Sequence, residues 1–182
     1  MVQPWERILD KGFVSGILTR AGLYLLAYEL LKDSLISRLK SFFWTGIEDG
    51  KETFSPKYAQ VLSKHKNMLV ASCMWLEENG VLTAQDVQSV MKIREFRNDI
   101  AHELPALLAE GKRELQTEHV VQIYRLLSKV DRWWIINVEL ATNEDFAGQE
   151  VAEHEVKSGT MIFMDHLLSM LFPEETAPLN SD

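Results

Sequence analysis

The sequence predicts an all-α protein, an up-down bundle of four to five helices, and three observations support this fold class. Apolar residues recur at alternating steps of three and four along most of the chain, which is the spacing of one helix face. No stretch alternates apolar and polar residues with the period of two that is typical of a half-buried strand. The sequence also contains neither an internal repeat nor a low-complexity block.

The composition is that of a soluble globular domain. The chain has 182 residues, of which 46% are hydrophobic and 25% are charged, and its formal net charge is −8. A chain of this length buries roughly 70% of the surface that its unfolded form exposes, so disordered and collagen-like classes are excluded. We expect one domain over residues 1–172 and a frayed tail over residues 173–182. The acidic charge argues against non-specific wrapping of duplex nucleic acid but is compatible with a small cationic site.

Three features predict a cytoplasmic protein that does not span a membrane. Cys73 is the single cysteine and cannot form an internal disulfide, which favours a reducing compartment. The N-terminus MVQPWERILDK has acidic residues and a proline where a secretory signal needs a basic start and an apolar run. The longest near-apolar stretches, Gly22 to Leu31 and Met68 to Leu76, are shorter than the ~20 residues of a membrane span.

The first helix is predicted from a continuous apolar seam and has a length of about 30 residues. The members of this seam are Ile17, Ala21, Tyr24, Tyr28, Leu31, Leu35, Leu39 and Phe42. The next segment, Trp44 to Ser55, has two glycines, several acids and no periodicity, which indicates a connection. Ser55-Pro56 begins the second helix because serine caps free amides and proline suits the first helical position. Asn79-Gly80 ends this helix.

The third helix begins at about Ala84, where Thr83 to Asp86 has the spacing of a capping box. It is expected to reach the Leu107 region, with Pro105 as a bend or an end and Gly111 as a stop.

Two more helices complete the predicted bundle. The fourth begins at Thr117 and reaches about Leu140, with apolar residues on one side. The acidic and weakly patterned segment from Asn143 to Lys157 is a predicted loop. A short helix from Thr160 to Phe172 closes the domain.

The segment KIREFRNDIAHEL, from Lys92 to Leu104, sorts its side chains by helical angle. Four apolar residues form one core-facing stripe, namely Ile93, Phe96, Ile100 and Leu104. A second face combines two arginines, an amide, a small residue and an imidazole, namely Arg94, Arg97, Asn98, Ala101 and His102. The acidic residues Glu95, Asp99 and Glu103 lie on the remaining, solvent-like side.

The residue types of the second face suit phosphodiester chemistry without a metal. A guanidinium such as that of Arg97 offers a fixed fork of donors and a permanent charge to a phosphate. The imidazole of His102 titrates near neutrality and can accept or donate a proton. Asn98 can donate to a phosphate oxygen or hold the ring, and Arg94 and Lys92 are predicted to bind phosphate or RNA. Nothing here supplies a metal cage, so we expect no metal and no cofactor.

The run RNDIAH resembles the signature of the HEPN superfamily, whose members have an arginine, usually a polar residue next, and a histidine four to six positions later. The resemblance is specific from Lys92 to Leu104 and architectural elsewhere, although the helix ending in YELLKDSLISRLKSF also looks like the opening helix of the family. It implies a HEPN-like fold and a metal-independent endoribonuclease that serves as a toxin or antiviral defence effector.

The resemblance also implies how the site works. Two copies of the motif would face each other in a homodimer, with Arg97 stabilising the phosphate, His102 as general acid or base and Asn98 orienting substrate or His102. The 2′-hydroxyl of RNA would attack and leave a cyclic phosphate. Leu104 stands where one branch of the family has a tyrosine that a partner enzyme modifies, so this form of regulation is not expected.

Three other interpretations of the same residues remain open. The first is a non-catalytic adaptor or immunity module that binds another protein, whereas an antitoxin is the protein partner expected of a toxin nuclease. The second is a nucleotide-binding domain, and the third is a polar helix surface with weak local ion pairs.

Several residues outside this segment have structural predictions. Trp133 and Trp134 are adjacent on a helix and cannot share one core stripe, so one is expected inside and the other against another helix or a subunit, with base stacking as an alternative. Cys73 lies in an apolar run and is predicted to be buried. Glu150 and His154 are predicted to be solvated loop charges rather than metal ligands.

Overall fold

The computed structural model describes residues 8–110, 116–146 and 151–171. These ranges contain six α-helices, one π-helix and a two-stranded hairpin, so the helical fold class is confirmed in broad terms. The elements are α1 (Lys11–Phe42), β1 (Trp44–Glu48), β2 (Lys51–Phe54), α2 (Pro56–Ser63), α3 (Met68–Glu78), α4 (Ala84–Glu110), α5 (Thr117–Trp134), the π-helix Ile135–Leu140 and α6 (Gly159–Leu171). The predicted stop at Gly111 and the predicted tail lie outside the described residues.

Helix α1 is the longest element and packs against α3, α4 and α5. Its first turn is capped by Asp10, whose side chain accepts hydrogen bonds from the backbone amides of Gly12 and Phe13. The buried residues of α1 are Ala21, Leu23, Tyr24, Ala27, Tyr28, Leu31, Ser34, Leu35 and Leu39. The predicted seam is therefore buried from Ala21 to Leu39, whereas Phe42 at its end is largely exposed.

The predicted connection from Trp44 to Ser55 lies between two helices but contains a β-hairpin, which the sequence analysis did not predict. Strand β1 pairs antiparallel with β2, and the intervening Asp49 and Gly50 have φ values of 51° and 74°. Positive φ at both central residues is typical of the type I′ turn, which Asp-Gly favours. The strands have five and four residues and are mostly exposed on both faces. They therefore lack the alternating apolar pattern that identifies a half-buried strand.

The predicted second helix is divided into α2 and α3, so the prediction of one helix over this region was also wrong. Asn67 caps the start of α3, where its side chain accepts hydrogen bonds from two backbone amides at 3.0 and 3.4 Å. The backbone amide of Asn67 donates to Nδ1 of His65 at 2.9 Å. Asparagine is among the strongest N-cap residues, and it interrupts the helical run here. The predicted end at Asn79-Gly80 is confirmed, with Gly80 at a φ of 73°.

The capping box at the start of α4 is confirmed. The backbone amide of Thr83 donates to Asp86 Oδ2 at 2.8 Å, and that of Asp86 donates to Thr83 Oγ1 at 3.1 Å. Helix α4 continues through Pro105 to Glu110, so the helix does not end at the proline.

The remaining helices end close to their predicted bounds, but one of them changes helix type. The predicted fourth helix does reach Leu140, but its last six residues, Ile135–Leu140, form a π-helix. The described parts of the predicted loop contain two short 3₁₀ turns, Glu144–Phe146 and Glu153–Glu155. Helix α6 begins one residue earlier than predicted, and Phe172 lies outside the described residues.

A buried polar network lies within the apolar core that the six helices share. The carboxylate of Asp131 in α5 accepts hydrogen bonds from the hydroxyls of Ser34 in α1 and Ser158. Ser158 in turn accepts a hydrogen bond from the backbone amide of Met161 in the first turn of α6. The indole of Trp134 donates to the carbonyl oxygen of Ser34 at 3.3 Å. These bonds join α1, α5 and α6.

Among the described residues, α1 is the one helix that is long and apolar enough to cross a membrane, judged by length and composition alone. Core helices of soluble proteins pass the same test, and one side of α1 is buried against its neighbours. The fold therefore has no clear membrane signature and is compatible with a soluble protein.

Candidate functional site

The predicted core stripe of α4 does face the core. Ile93 and Ile100 are buried, while Phe96 and Leu104 are partly buried against the core residues. The hydroxyl of Tyr24 in α1 donates to the carbonyl oxygen of Ile93 at 3.0 Å. The rings of Tyr24 and Phe96 pack edge to face, with centroids 5.1 Å apart. These contacts fix α4 against α1 and leave its polar side at the surface.

The guanidinium of Arg97 is held at the junction of α1 and α4. Its Nη2 donates to Glu29 Oε1 at 3.2 Å, and its Cζ lies 5.7 Å from the centroid of the Tyr28 ring. The Nε atom is buried and has no hydrogen-bond partner in the described part of the chain. The Arg97 side chain is 34% exposed, so the far end of the guanidinium remains accessible to a ligand.

Glu29 is the residue of this site that the sequence did not predict. Its carboxylate also accepts a hydrogen bond from Lys32 at 2.9 Å, one turn further along α1. The hydrogen bond from Lys32 is the largest cause that lowers the pKa of Glu29, and Arg97 lowers it further, while partial burial acts in the opposite direction. Glu29 is therefore ionised at neutral pH and competes with any phosphate for Arg97. The only sequence signal is that Glu29 interrupts an apolar stretch.

Arg94 and Arg97 both lie near the phenol of Tyr28. Burial raises the pKa of Tyr28, and the positive charges of Lys32, Arg94 and Arg97 partly oppose this rise. Arg94 is half-buried. The structure thus places the two predicted arginines around one aromatic ring of α1, with the charge of Glu29 beside them.

The other predicted site residues are exposed on α4. Asn98, His102 and Lys92 all face solvent. His102 follows Arg97 by five residues, which places it about 140° around the helix and about 7.5 Å along it. No hydrogen bond joins His102 to Arg97 or Asn98 within the described residues. One chain therefore displays the guanidinium and the imidazole on the same helix but does not bring them together.

Two cavities of about 360 and 440 Å³ lie at the carboxyl end of α1, and neither is lined by a predicted site residue. These two cavities are therefore separate from the predicted site.

Two structural predictions outside α4 are confirmed. Trp134 is buried, and Trp133 packs edge to face against it and against Trp75 of α3, so the two tryptophans divide as predicted. Cys73 is fully buried, and burial is the larger cause that raises its pKa to about 12, with the charge of Glu77 adding to it. The thiol is therefore a poor nucleophile.

The environment of His119 was not predicted, whereas the exposure of His154 was. His119 stacks on Phe96, with ring centroids 4.7 Å apart, and its Nδ1 lies 3.2 Å from the carbonyl oxygen of Gln116. His154 is exposed, while Glu150 lies outside the described residues. The described residues contain no group of three or more His, Cys, Asp or Glu side chains that could hold a metal ion.

No protein-family model, no curated protein and no solved structure matches the chain. The resemblance to the HEPN signature therefore rests on the sequence of α4.

Proposed function

We propose that the chain is a metal-independent endoribonuclease of the HEPN type, with a HEPN-like helical bundle as its fold. The observation that supports this most is the placement of Arg97, Asn98 and His102 on the outer side of α4, while the opposite side is fixed in the core. The protein is proposed to be cytoplasmic and to act as a toxin or a defence effector.

In the proposed mechanism, Arg97 binds the scissile phosphate after a phosphate oxygen replaces the carboxylate of Glu29. Asn98 orients the substrate or the ring of His102. The 2′-hydroxyl of the RNA attacks the phosphorus, and His102 accepts the proton of this hydroxyl. The bond from phosphorus to the 5′-oxygen breaks, and that oxygen takes up a proton. The products are a 2′,3′-cyclic phosphate and a 5′-hydroxyl end.

A homodimer completes this mechanism because one chain leaves its imidazole and guanidinium apart. The surface of α1 beside Glu29 supports a second copy as the partner. Leu18, Gly22 and Leu26 are exposed, and together with Glu29 they fall within about 80° of the helix circumference. A Cβ atom added at Gly22 would meet no atom within 4 Å in this chain. Exposed apolar and small residues of this kind allow another helix to approach closely.

The experiment is RNA cleavage by the purified chain in the presence of EDTA. We expect cleavage by the wild type, no cleavage by His102→Ala or Arg97→Ala, and unchanged cleavage by Glu103→Ala, an exposed neighbour on the same helix. Cleavage that EDTA abolishes, or cleavage that His102→Ala retains, contradicts the proposal.

A mixing experiment tests the composite site. If the arginine of one subunit works with the histidine of the other, an exchanged mixture of Arg97→Ala and His102→Ala regains activity. About a quarter of wild-type activity is expected, because half of the dimers are mixed and each has one intact site. A mixture as inactive as its components argues against a composite site.

A second candidate is a non-catalytic adaptor or immunity module that binds a protein partner or a nucleotide. The ion pair between Glu29 and Arg97 favours it, because the guanidinium already has an anionic partner. This candidate predicts no RNA cleavage, unaffected growth of expressing cells and stable co-purification of one partner, or saturable ATP or NAD binding that Arg97→Ala abolishes.

A further inference from the structure

Two adjoining cavities lie at the carboxyl end of α1. Their volumes are about 360 and 440 Å³, and Ser37 and Ser41 line both, so the cavities form one groove across the last turns of the helix. Such volumes are within the range of small-molecule sites. The groove contains none of the residues assigned to RNA cleavage, so the following inference does not rest on the proposed function.

The smaller cavity combines polar groups from α1 with apolar walls. Asp33, Ser37 and Ser41 follow one another at intervals of four residues and so lie on successive turns of one side of α1. Phe42 lines the same cavity and is 46% exposed. Val138 adds aliphatic surface. A ligand in this cavity meets the Asp33 carboxylate, two hydroxyls, an aromatic ring and the ion pair of Arg38 with Glu139.

The π-helix Ile135–Leu140 shapes the cavity. It contributes both Val138 and Glu139 to the lining, and Glu139 Oε1 accepts a hydrogen bond from Arg38 Nη1 at 3.1 Å. π-Helical turns are rare in proteins and are frequent at functional sites. The local change of helix type therefore coincides with the cavity.

Negative charges outnumber positive charges around the smaller cavity. Arg38 lies between two carboxylates, with Glu139 at 3.1 Å and the buried Asp131 at 3.7 Å. Asp33 has no ion-pair partner among the described residues. Two carboxylates thus share one guanidinium, and Asp33 adds a third carboxylate to the lining, so the net charge of this region is negative and attracts cations.

We propose that the smaller cavity binds the ammonium group of a small aliphatic amine. The Asp33 carboxylate and the Ser37 hydroxyl accept hydrogen bonds from the ammonium. The alkyl chain of the amine extends along the groove towards Val138 and Phe42. In the larger cavity, Lys40 Nζ lies 5.3 Å from the centroid of the Phe54 ring.

The test is calorimetric titration of the full chain with putrescine, spermidine and butylamine at low ionic strength. We expect saturable binding at one site for these amines and none for 1,4-butanediol, which has the shape of putrescine without its charges. Asp33→Asn should raise Kd at least about tenfold, because it removes a charge-assisted hydrogen bond. Phe42→Leu should raise Kd less. Thermal melts confirm that both variants are folded.

The matched control is Glu103→Gln, which removes the same charge at an exposed position of α4. It separates a defined site from general attraction to an acidic protein. Equal weakening by Asp33→Asn and Glu103→Gln, or no saturable heat up to about 10 mM amine, overturns the proposal. Binding of Nα-acetyllysine methylamide without binding of any free amine also overturns it and assigns the cavity to a lysine side chain of a peptide.

Discussion

Glu29→Gln tests whether the ion pair on Arg97 competes with RNA. The substitution keeps the size of the side chain and removes its charge, so Arg97 no longer has an anionic partner on α1. The pair joins side chains that are 34% and 45% exposed at a distance of 3.2 Å. Exposed pairs of this kind contribute about 0.2–1 kcal/mol after solvent screening. If that free energy opposes phosphate binding, its loss increases RNA affinity about 1.4- to 5-fold.

The assay is fluorescence anisotropy of a labelled single-stranded RNA, with the His102→Ala substitution in every variant so that the RNA stays intact. We expect a lower Kd for Glu29→Gln. Glu48→Gln is the control, because it removes an equal charge from an exposed position of the hairpin. Unchanged or weaker binding in Glu29→Gln, with Glu48→Gln unchanged, refutes competition and indicates that Glu29 orients Arg97 for its ligand.

The pH dependence of the same ion pair has a defined sign. Because the pKa of Glu29 is lowered, the pair is intact at neutral pH and is lost only as the pH falls through that lowered value, below the ordinary 4.5. The difference in RNA affinity between the protein that retains Glu29 and the Glu29→Gln variant should therefore be constant from pH 6 to pH 8. A difference that disappears within this interval contradicts the assignment.

Three further predictions concern stability and reactivity. Asp131→Ala should destabilise the fold by about 3 kcal/mol, because it leaves two buried hydroxyls without their acceptor, and a thermal melt should show a Tm lower by roughly 6–12 °C. Cys73 should resist a thiol reagent at pH 8 until denaturant is added, since the thiol is fully buried and its pKa is about 12; rapid reaction of the native protein would contradict this. Asp86→Asn should cost about 1 kcal/mol at pH 7 in urea titrations. Burial raises the pKa of Asp86, but hydrogen bonds from Lys129 and Thr83 outweigh it and lower the pKa, so the cost should shrink as the pH falls below about 3.8.

The sequence predicts the long helices well because each buries a continuous side. Apolar residues recur often enough in the seam from Ala21 to Leu39, and in the stripe that contains Ile93 and Ile100, to show the period of an α-helix. The capping box at Thr83 is equally readable, since its two hydrogen bonds lie within four residues. Local chemistry and periodic burial were sufficient for these elements.

The missed elements are those whose signal is short or not periodic. The hairpin is marked only by Asp49-Gly50, because its strands are too short and too exposed to alternate. The break between α2 and α3 depends on the single cap Asn67, within an otherwise helical pattern. The change from α-helix to π-helix after Trp134 has no sequence signal that we recognise.

In the candidate site, too, the sequence predicts what lies within one helix but not what packs against it. The helical angle of α4 correctly separates buried Ile93 and Ile100 from exposed His102, while Arg97 lies partly buried at the junction with α1. Glu29 could not be paired with Arg97, because the two are 68 positions apart and meet only through the packing of α1 on α4. A pattern within one helix predicts which side chains are displayed, whereas tertiary packing decides what they contact.

Helix α1 connects the two proposed sites electrostatically. Glu29 competes for Arg97, and Asp33, one turn or about 6 Å further along the same helix, faces the proposed amine cavity. Both carboxylates oppose the approach of RNA phosphates to a protein with a net charge of −8. Exposed charges interact within a Debye length of about 8 Å at physiological salt, so an ammonium bound at Asp33 partly offsets the negative charge that Asp33 and Glu29 give to this side of α1. If both proposals hold, amine binding and RNA binding therefore favour each other, and by linkage each increases the affinity for the other by the same factor.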